Sequence, residues 1–517
     1  MIALQRHSGI LLHPTSLPGP HGAGDFGPAA YHFVDWLVAG GQTLWQILPL
    51  GGLGPGNSPY MSPSAFAGNE LLIDLTQLRQ AGWLSDADIA PDPAFADAQV
   101  NYPAVQGFRM ARLRLAAERF FADSAPEARG AYAAFCAQAR AWLDDYALFM
   151  AIDREHSGYG KLWQDWPAAL AQRQPKALAS AALALADECN FWRFCQWCFF
   201  SQGAALKRYA NAHGVAIVGD MPIFVSAHSA DVWANRQLFD LDRLGRPRVV
   251  AGVPPDYFSA TGQHWGNPLY DWPAHKKEDY RWWIDRMRAS FALCDIVRID
   301  HFRGFESYWE IPADAPTAIH GRWQPGPGAA LFTALRKALG ASKQARQIIA
   351  EDLGEITAQV RALRAACGLP GMRILQFAFD GHVDNPYLPH NFEANTVVYT
   401  GTHDNDTTRG WWQSLAAHEQ DYVRRYFGIS GECIEWDLIR AALASVASMA
   451  IFPMQDVLGL DSAARMNQPG CAQGSWEWRF NWQQVQPWHA ERLAELSRLY
   501  GRLPEERRAP AAAQRAP

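Results

Sequence analysis

Three apolar runs in this chain end in acids. Ile296-Val297-Arg298-Ile299-Asp300-His301-Phe302-Arg303-Gly304 is a β-branched run that closes on a charged cluster and a glycine. The run from Gln347 to Gly354 closes on Glu351 and Asp352, and the run from Thr396 to Asp406 closes on His403, Asp404 and Asp406. Such a segment reads as a buried parallel strand that delivers its last side chains to an open rim. Val215-Ala216-Ile217-Val218-Gly219-Asp220-Met221-Pro222 has the same form and places Asp220 at a further strand end. A lone Asp after a strand often caps the next helix, but four such acids around one rim exceed what capping requires.

The spacing suggests what these acids could do. Asp300 and Glu351 are one β-α-β step apart, hence on adjacent strands, and neighbouring strands lie about 5 Å apart. That matches the roughly 5 to 5.5 Å between the carboxyls of retaining glycoside chemistry, not the wider gap that admits a water in inverting enzymes. Arg298, two residues before Asp300, shares its strand face, and its cation favours an ionised Asp300 suited to attack an anomeric carbon. Asp300 is therefore the expected nucleophile. Glu351 has no cation nearby in sequence, so a raised pKa is easier, as a general acid/base requires. Asp404 with His403, and His301 beside the nucleophile, can hydrogen-bond sugar hydroxyls and stabilise an oxocarbenium-like transition state. Taken singly, either histidine could equally cap a helix or fill a core.

Asp404, Asp406, His403 and His301 are also metal-ligand types, but no H-E-x-x-H motif or Asp-rich calcium loop is present, so no metal is expected. Gly22-Ala23-Gly24-Asp25-Phe26-Gly27 matches a dinucleotide fingerprint in form. Its glycines follow Pro14, Pro18 and Pro20 instead of a strand, and no acidic strand end follows about 20 residues on, so it reads as a loop before a helix starting at Pro28. No cofactor is expected.

The elements that must position the acids alternate. Strands are expected at 8–12, 43–48, 215–219, 295–299, 347–350, 372–377, 396–399 and 450–453, with helices at 28–39, 277–293, 331–339 and 355–366. This is an α/β chain with the pattern of a (β/α)8 TIM barrel. It carries large insertions after strands 2 and 3. Residues of about 71–208 show Ala- and Arg-rich helical periodicity, and residues of about 225–272 form a loop-rich excursion that suits a wall over the active site. The whole is read as one catalytic barrel over 1–506 with these inserted subdomains, followed by a disordered tail at 507–517.

Bulk composition excludes several functions. Hydrophobic residues are 49% and charged residues 19%, and no apolar run reaches the roughly 18 residues that span a bilayer. A net charge of -6 and a pI near 6.2 give no footprint for nucleic acid. The apolar stretch after Arg6 is too short for a signal peptide, so a cytoplasmic setting is expected. The eight cysteines have no regular spacing, and Cys195 and Cys198, inside an aromatic run, read as reduced core thiols. The 22 tryptophans suit a ligand with apolar faces and hydroxyl edges, such as a sugar. Tyr60, in a long Gly/Pro loop, would serve such a ligand or ordinary packing equally well.

Taken together the motifs resemble the amylomaltases, the 4-α-glucanotransferases or disproportionating enzymes of glycoside hydrolase family 77. The resemblance runs from residue 8 to about 482. It rests on Ser58-Pro59-Tyr60 with Ser64 to Asn69, Gly219 to Ile223, Pro255 to Phe258 through Trp265 to Tyr270, Val297 to Gly304, Ala350 to Gly354, Gly401 to Asp406 and Arg465 to Gly470. It implies the roles reached above for Asp300, Glu351 and Asp404. It also implies that Tyr60, within the Ser58-Pro59-Tyr60 motif, stacks on the donor sugar, and that Asp220, Arg298, His301 and His403 hold its hydroxyls. Ser58 is counted with these substrate-binding residues. Asp256, Gln263 and Trp265 would belong to a loop over the cleft, and Asp380 would bind an acceptor glucose. The chain departs from the family pattern at Cys471, usually Thr, and at Ser475 before Trp476, usually Asn.

The expected reaction is transfer of an α-1,4-glucan segment from a maltooligosaccharide to the 4-hydroxyl of another glucan or of glucose. A glucan hydrolase with the same carboxylates and a non-catalytic glucan-binding protein are the alternatives. Monomer and homodimer both stay open, and no nucleic-acid or membrane partner is expected.

Overall fold

Each run read as a barrel strand pairs in parallel with its neighbours in the computed structural model, which describes residues 6–156, 161–255, 259–340, 348–471 and 473–504. In chain order the strands are β1 (His7–Leu11), β2 (Leu44–Gln46), β3 (Ala216–Pro222), β4 (Val249–Val253), β5 (Gln263–Pro268), β6 (Ile296–Asp300), β7 (Ser307–Pro312), β8 (Arg322–Pro325), β9 (Ile348–Ala350), β10 (Gly371–Ile374), β11 (Thr396–Tyr399) and β12 (Met449–Pro453). Eight of them form one sheet in the order β10-β11-β12-β1-β2-β3-β6-β9. The first and last strands of that order are consecutive in sequence, and the Ala350 amide donates to the Pro370 carbonyl at 2.9 Å, which links the ring into a barrel. The expected (β/α)8 fold is borne out.

The strands are short and β-branched because both faces are covered. Val297, Ile299, Ile348, Ile349, Val397 and Val398 are all buried. Close strand approach fixes Gly9 of β1, where a Cβ would lie 2.3 Å from the Leu44 carbonyl oxygen of β2. The first helix, Pro28–Ala39, starts on Pro28 and stops before Gly40, burying Phe33, Val34, Trp36 and Leu37. The stretch 372–377, read as strand six, is strand only to Ile374; Leu375–Phe377 tightens into a 3-10 turn.

The region after β2 is dominated by the helices Tyr102–Asp123, Pro126–His156 and Ala186–Ala212. Its last helix continues four residues past 208 and packs on β3, so insertion and barrel helix are one element. Arg109, fully buried, bonds Asp25 at 2.8 Å and the carbonyls of His21, Ala23 and Ile73, tying this layer to the loop after β1.

The excursion after β3 contains more order than its loop-rich composition suggests. Strands β4 and β5 join β7 and β8 in an antiparallel sheet ordered β5-β4-β7-β8. Strands β7 and β8 come from the chain after β6, a segment to which the sequence pattern assigns no strand. The physical reason is exposure: β8 reads Arg-Trp-Gln-Pro with little buried surface, so its strand state is set by pairing Trp323 with Trp309. This sheet carries Trp265 to the barrel rim, where its ring meets His301 edge-on at 5.0 Å. The tail at 507–517 lies outside the described residues.

Candidate active site

The carboxyl ends of β3, β6 and β9 bring four ionisable side chains together. Parallel register sets Asp220 opposite Arg298, and Ile299 opposite Ala350, so Asp300 and Glu351 follow as neighbours at the ends of adjacent strands. Arg298, 3% exposed, lies between two acids. Its Nη1 donates to both carboxylate oxygens of Asp220 at 2.7 Å, and its Nη2 donates to Asp300 Oδ1 at 2.8 Å. Burial works against the guanidinium, but the charges of Asp220 and Asp300 outweigh it and hold Arg298 protonated. The same-face expectation for Arg298 and Asp300 agrees with this bond.

The two acids differ in access. The Asp220 side chain is fully buried, whereas that of Asp300 is 31% exposed. Burial pushes Asp220 upward while Arg298 pulls it back. Asp220 is thus the fixed counter-ion and Asp300 the acid that faces the mouth.

Glu351 sits in a third environment. Its Oε2 accepts from the His301 amide at 2.6 Å and its Oε1 from the Leu353 amide at 2.8 Å. It is buried, and burial first and the Asp300 charge second push its carboxyl up from 4.5 to about 8, against the pull of Arg298. A carboxyl raised in this way keeps its proton near neutral pH. The sequence predicts a raised value from a missing cation; the tertiary causes are burial and the neighbouring acid.

His301 takes a left-handed backbone with φ 53° and ψ 49°, uncommon for a side chain of its size and a local strain at the rim. Burial lowers its imidazole to about 4, so the ring is neutral, and its Nε2 has no hydrogen-bond partner among the described residues. Trp265 packs on this ring and donates from Nε1 to Gln263 Oε1 at 3.0 Å.

A second group comes from loops after β2, β11 and β12. The Tyr60 hydroxyl donates to Asp220 Oδ2 at 2.8 Å and lies 2.8 Å from His403 Nε2. Because the single phenolic proton is committed to Asp220, His403 serves as the donor to the Tyr60 oxygen. Tyr60 and His403 stack at 5.4 Å, and Trp476 tilts against both, at 5.7 and 5.9 Å. Burial and the Asp220 charge raise Tyr60 well above its ordinary value, so it stays a phenol. Ser58 caps this turn, accepting from the Tyr60 amide at 3.3 Å.

Asp404 stands at the edge with its side chain 44% exposed. Asn467 Nδ2 donates to its Oδ1 at 2.6 Å, and Arg465 donates to its carbonyl at 2.5 Å. The sequence alone gives Asn467, Arg465 and Trp476 no role. The polar Arg465-Met466-Asn467-Gln468-Pro469-Gly470 turn was the available signal, but nothing local says which loop it meets.

The other expected residues fare differently. Asp256 lies outside the described residues. Asp380 is not drawn into the cluster: it is exposed and accepts from the His382 amide of its own loop at 3.0 Å. Among the described residues, no group of three or more His, Cys, Asp or Glu is arranged to hold a metal ion. No helix among them is long and apolar enough to cross a membrane.

A closed parallel barrel that gathers a buried acid, a cation between two carboxylates, and a protonated glutamic acid at its strand ends belongs to the class of (β/α)8-barrel enzymes. Comparison with known proteins narrows the class. The family pattern described as 4-alpha-glucanotransferase matches residues 12–485. The 4-alpha-glucanotransferase of Thermus thermophilus is 48% identical over 97% of this chain and 100% of its own length. The chloroplastic/amyloplastic 4-alpha-glucanotransferase of Arabidopsis thaliana is 46% identical over 96% of this chain and 86% of its own. The solved amylomaltase of Streptococcus agalactiae, in complex with acarbose, superposes with a TM-score of 0.91 at 40% identity, covering 97% of this chain and 100% of that one. The chain belongs to the 4-alpha-glucanotransferase family.

Proposed function

We propose that the chain is a retaining 4-α-glucanotransferase acting on α-1,4-glucans and maltooligosaccharides, with Asp300 as nucleophile, Glu351 as acid/base and Asp404 as transition-state stabiliser. One observation carries the reading: a buried carboxyl, pushed upward by burial and by the neighbouring acid, stands beside a carboxylate that accepts from a buried guanidinium, at the ends of adjacent strands. Two acids in such contrasting environments can divide acid and nucleophile between them.

In the first step Asp300 attacks the anomeric carbon and forms a glycosyl ester. The glycosidic C1–O4 bond breaks, and Glu351 gives its proton to the departing O4. In the second step the 4-hydroxyl of an acceptor glucan, or of glucose, attacks the same carbon. Glu351 recovers a proton from that hydroxyl and the ester bond breaks, returning Asp300. Net retention follows from two inversions.

Asp404, polarised by Asn467, offers negative charge where the oxocarbenium character develops. The neutral His301 and the chain His403, Tyr60, Asp220 present donors and acceptors for sugar hydroxyls, and Tyr60 provides a ring face. Trp265 and Gln263 contribute to the wall over the cleft, Ser58 orients the Tyr60 turn, and Asp256 and Asp380 are assigned to substrate binding on the family resemblance. Residues 1–506 act as one catalytic unit, with about 71–208 as a helical insertion and about 225–272 as a loop-rich insertion over the active site. Eight free thiols, of which Cys189, Cys195, Cys198 and Cys294 are buried, support a reducing, cytoplasmic setting.

Incubation with maltotriose tests the reading. Transfer yields glucose together with oligomers longer than maltotriose. Products that are only shorter than the substrate would make the chain a hydrolase, and unchanged maltotriose would reduce it to a binding protein.

A further inference from the structure

The loop that carries His403 and Asp404 leaves β11 at Thr400 and returns to regular structure in the helix Thr408–Ser414. Both of its ends meet one carboxylate. Asp456, 1% exposed, lies in the short helix Met454–Val457 that follows β12. Its Oδ2 accepts from the Thr400 hydroxyl at 2.6 Å and from the Thr408 hydroxyl at 2.7 Å, and its Oδ1 accepts from the Thr408 amide at 2.7 Å.

Three donors from two ends of one loop need an acceptor with two oxygens at a fixed spacing. An ionised carboxyl supplies that, and an amide supplies only one oxygen. The loop is held elsewhere too: Gln376 donates to the Asp406 carbonyl at 2.9 Å, Ser462 to the Asp406 carboxylate at 2.7 Å, and Asn467 to Asp404 at 2.6 Å. These contacts act on the middle of the loop, whereas Asp456 sets where it starts and stops. Placing a charge so deep is costly, and burial pushes this carboxyl up to about 6. A buried acid maintained against that cost, and spent wholly on one active-site loop, has a purpose beyond packing.

We propose that Asp456 is a positioning residue for the reaction, closing the base of the Thr400–Thr408 loop so that Asp404 stays at the rim of the site. The inference rests on the role given to Asp404 above. Loosening the base shifts Asp404 and with it His403, but His403 stays anchored to the stacked Tyr60, so the loss falls mainly on kcat.

The test is steady-state kinetics on maltotriose, with thermal unfolding measured alongside, for Asp456→Ala, Asp456→Asn, Thr400→Val, Asn467→Ala and the double variant Asp456→Ala/Asn467→Ala. Misplacing a catalytic group by about 1 Å costs about 100-fold in rate. Asp456→Ala is expected to lower kcat by about 10- to 100-fold with KM changed less than about 3-fold, and Asp456→Asn and Thr400→Val to lie between it and wild type. Because Asp456 and Asn467 both act through Asp404, the double variant should lose less than the product of the single losses. Independent, multiplying losses would overturn the proposal, as would folded Asp456→Asn and Thr400→Val proteins with wild-type kcat. If Asp456→Ala does not fold, those two variants and the Asp456→Asn/Asn467→Ala pair carry the same decision. Asp404→Asn separates the two levels: wild-type kcat there would refute the role of Asp404 itself, whereas an inactive Asp404→Asn with multiplying Asp456 losses would refute this inference alone.

Discussion

Replacing Asp300 by Asn should lower the pKa of Glu351, because part of what keeps that carboxyl neutral is the negative charge on the adjacent strand. Glu351 stands at about 8 against an ordinary 4.5, with burial the larger cause and Asp300 the next. Strands β6 and β9 are directly paired, and adjacent strands lie about 5 Å apart. Two unit charges at about 5 Å interact by ~3 kcal/mol at an effective dielectric of about 20, which corresponds to about 2 pH units. Asp300→Asn removes that contribution and leaves burial, so Glu351 should titrate near about 6 in the variant. Asn is isosteric and keeps an oxygen for the Arg298 Nη2 bond, so the fold should hold. The assay is a carboxyl titration of 13C-labelled glutamate, with Glu351→Gln identifying the resonance, since turnover should vanish in Asp300→Asn. A Glu351 titration unmoved near 8 would refute the neighbouring-carboxyl geometry, and a fall to 4.5 would refute burial as the main cause. In the wild type the sign is set by the acid role: Glu351 must hold its proton to cleave the bond, so kcat should fall as pH rises through about 8.

Two further substitutions probe the surroundings. Tyr60→Phe removes the hydroxyl between Asp220 and His403 while keeping the stacked ring, so kcat/KM should fall about 10-fold, ~1 to 2 kcal/mol, and urea stability should fall by about 1 to 3 kcal/mol as the buried His403 loses its partner; an unaltered kcat/KM would remove the hydroxyl from the substrate-binding chain. Gly219→Ala places a Cβ 2.3 Å from Cys294 Sγ beside Asp220, and urea unfolding should show a loss of about 1 to 3 kcal/mol that Cys294→Ala partly restores.

Much of the barrel was legible because a buried parallel strand is apolar on both faces, a property of five or six consecutive residues. Val297 and Ile299 signal burial locally, and the abrupt change to Asp300 and His301 marks where the barrel opens to its rim. Arg298 could be assigned to the face of Asp300 because strand alternation is also local. By the same logic β8 was not legible: Arg322, Trp323, Gln324 and Pro325 are mostly exposed, and only pairing with β7 makes them a strand. Asp380 shows the opposite limit, since motif resemblance set it among the binding residues while its described contacts stay within its own loop.

The chain's order of residues by itself determined which side chains reach the rim and in what chemical types, since strand period and strand ends are short-range. Tertiary structure alone decided how those groups act on one another. Arg298 bridges Asp220 and Asp300, Asp300 helps keep Glu351 protonated, and Asn467 and Asp456 hold the loop of Asp404, because barrel closure brings together strand ends and loops that lie far apart along the chain.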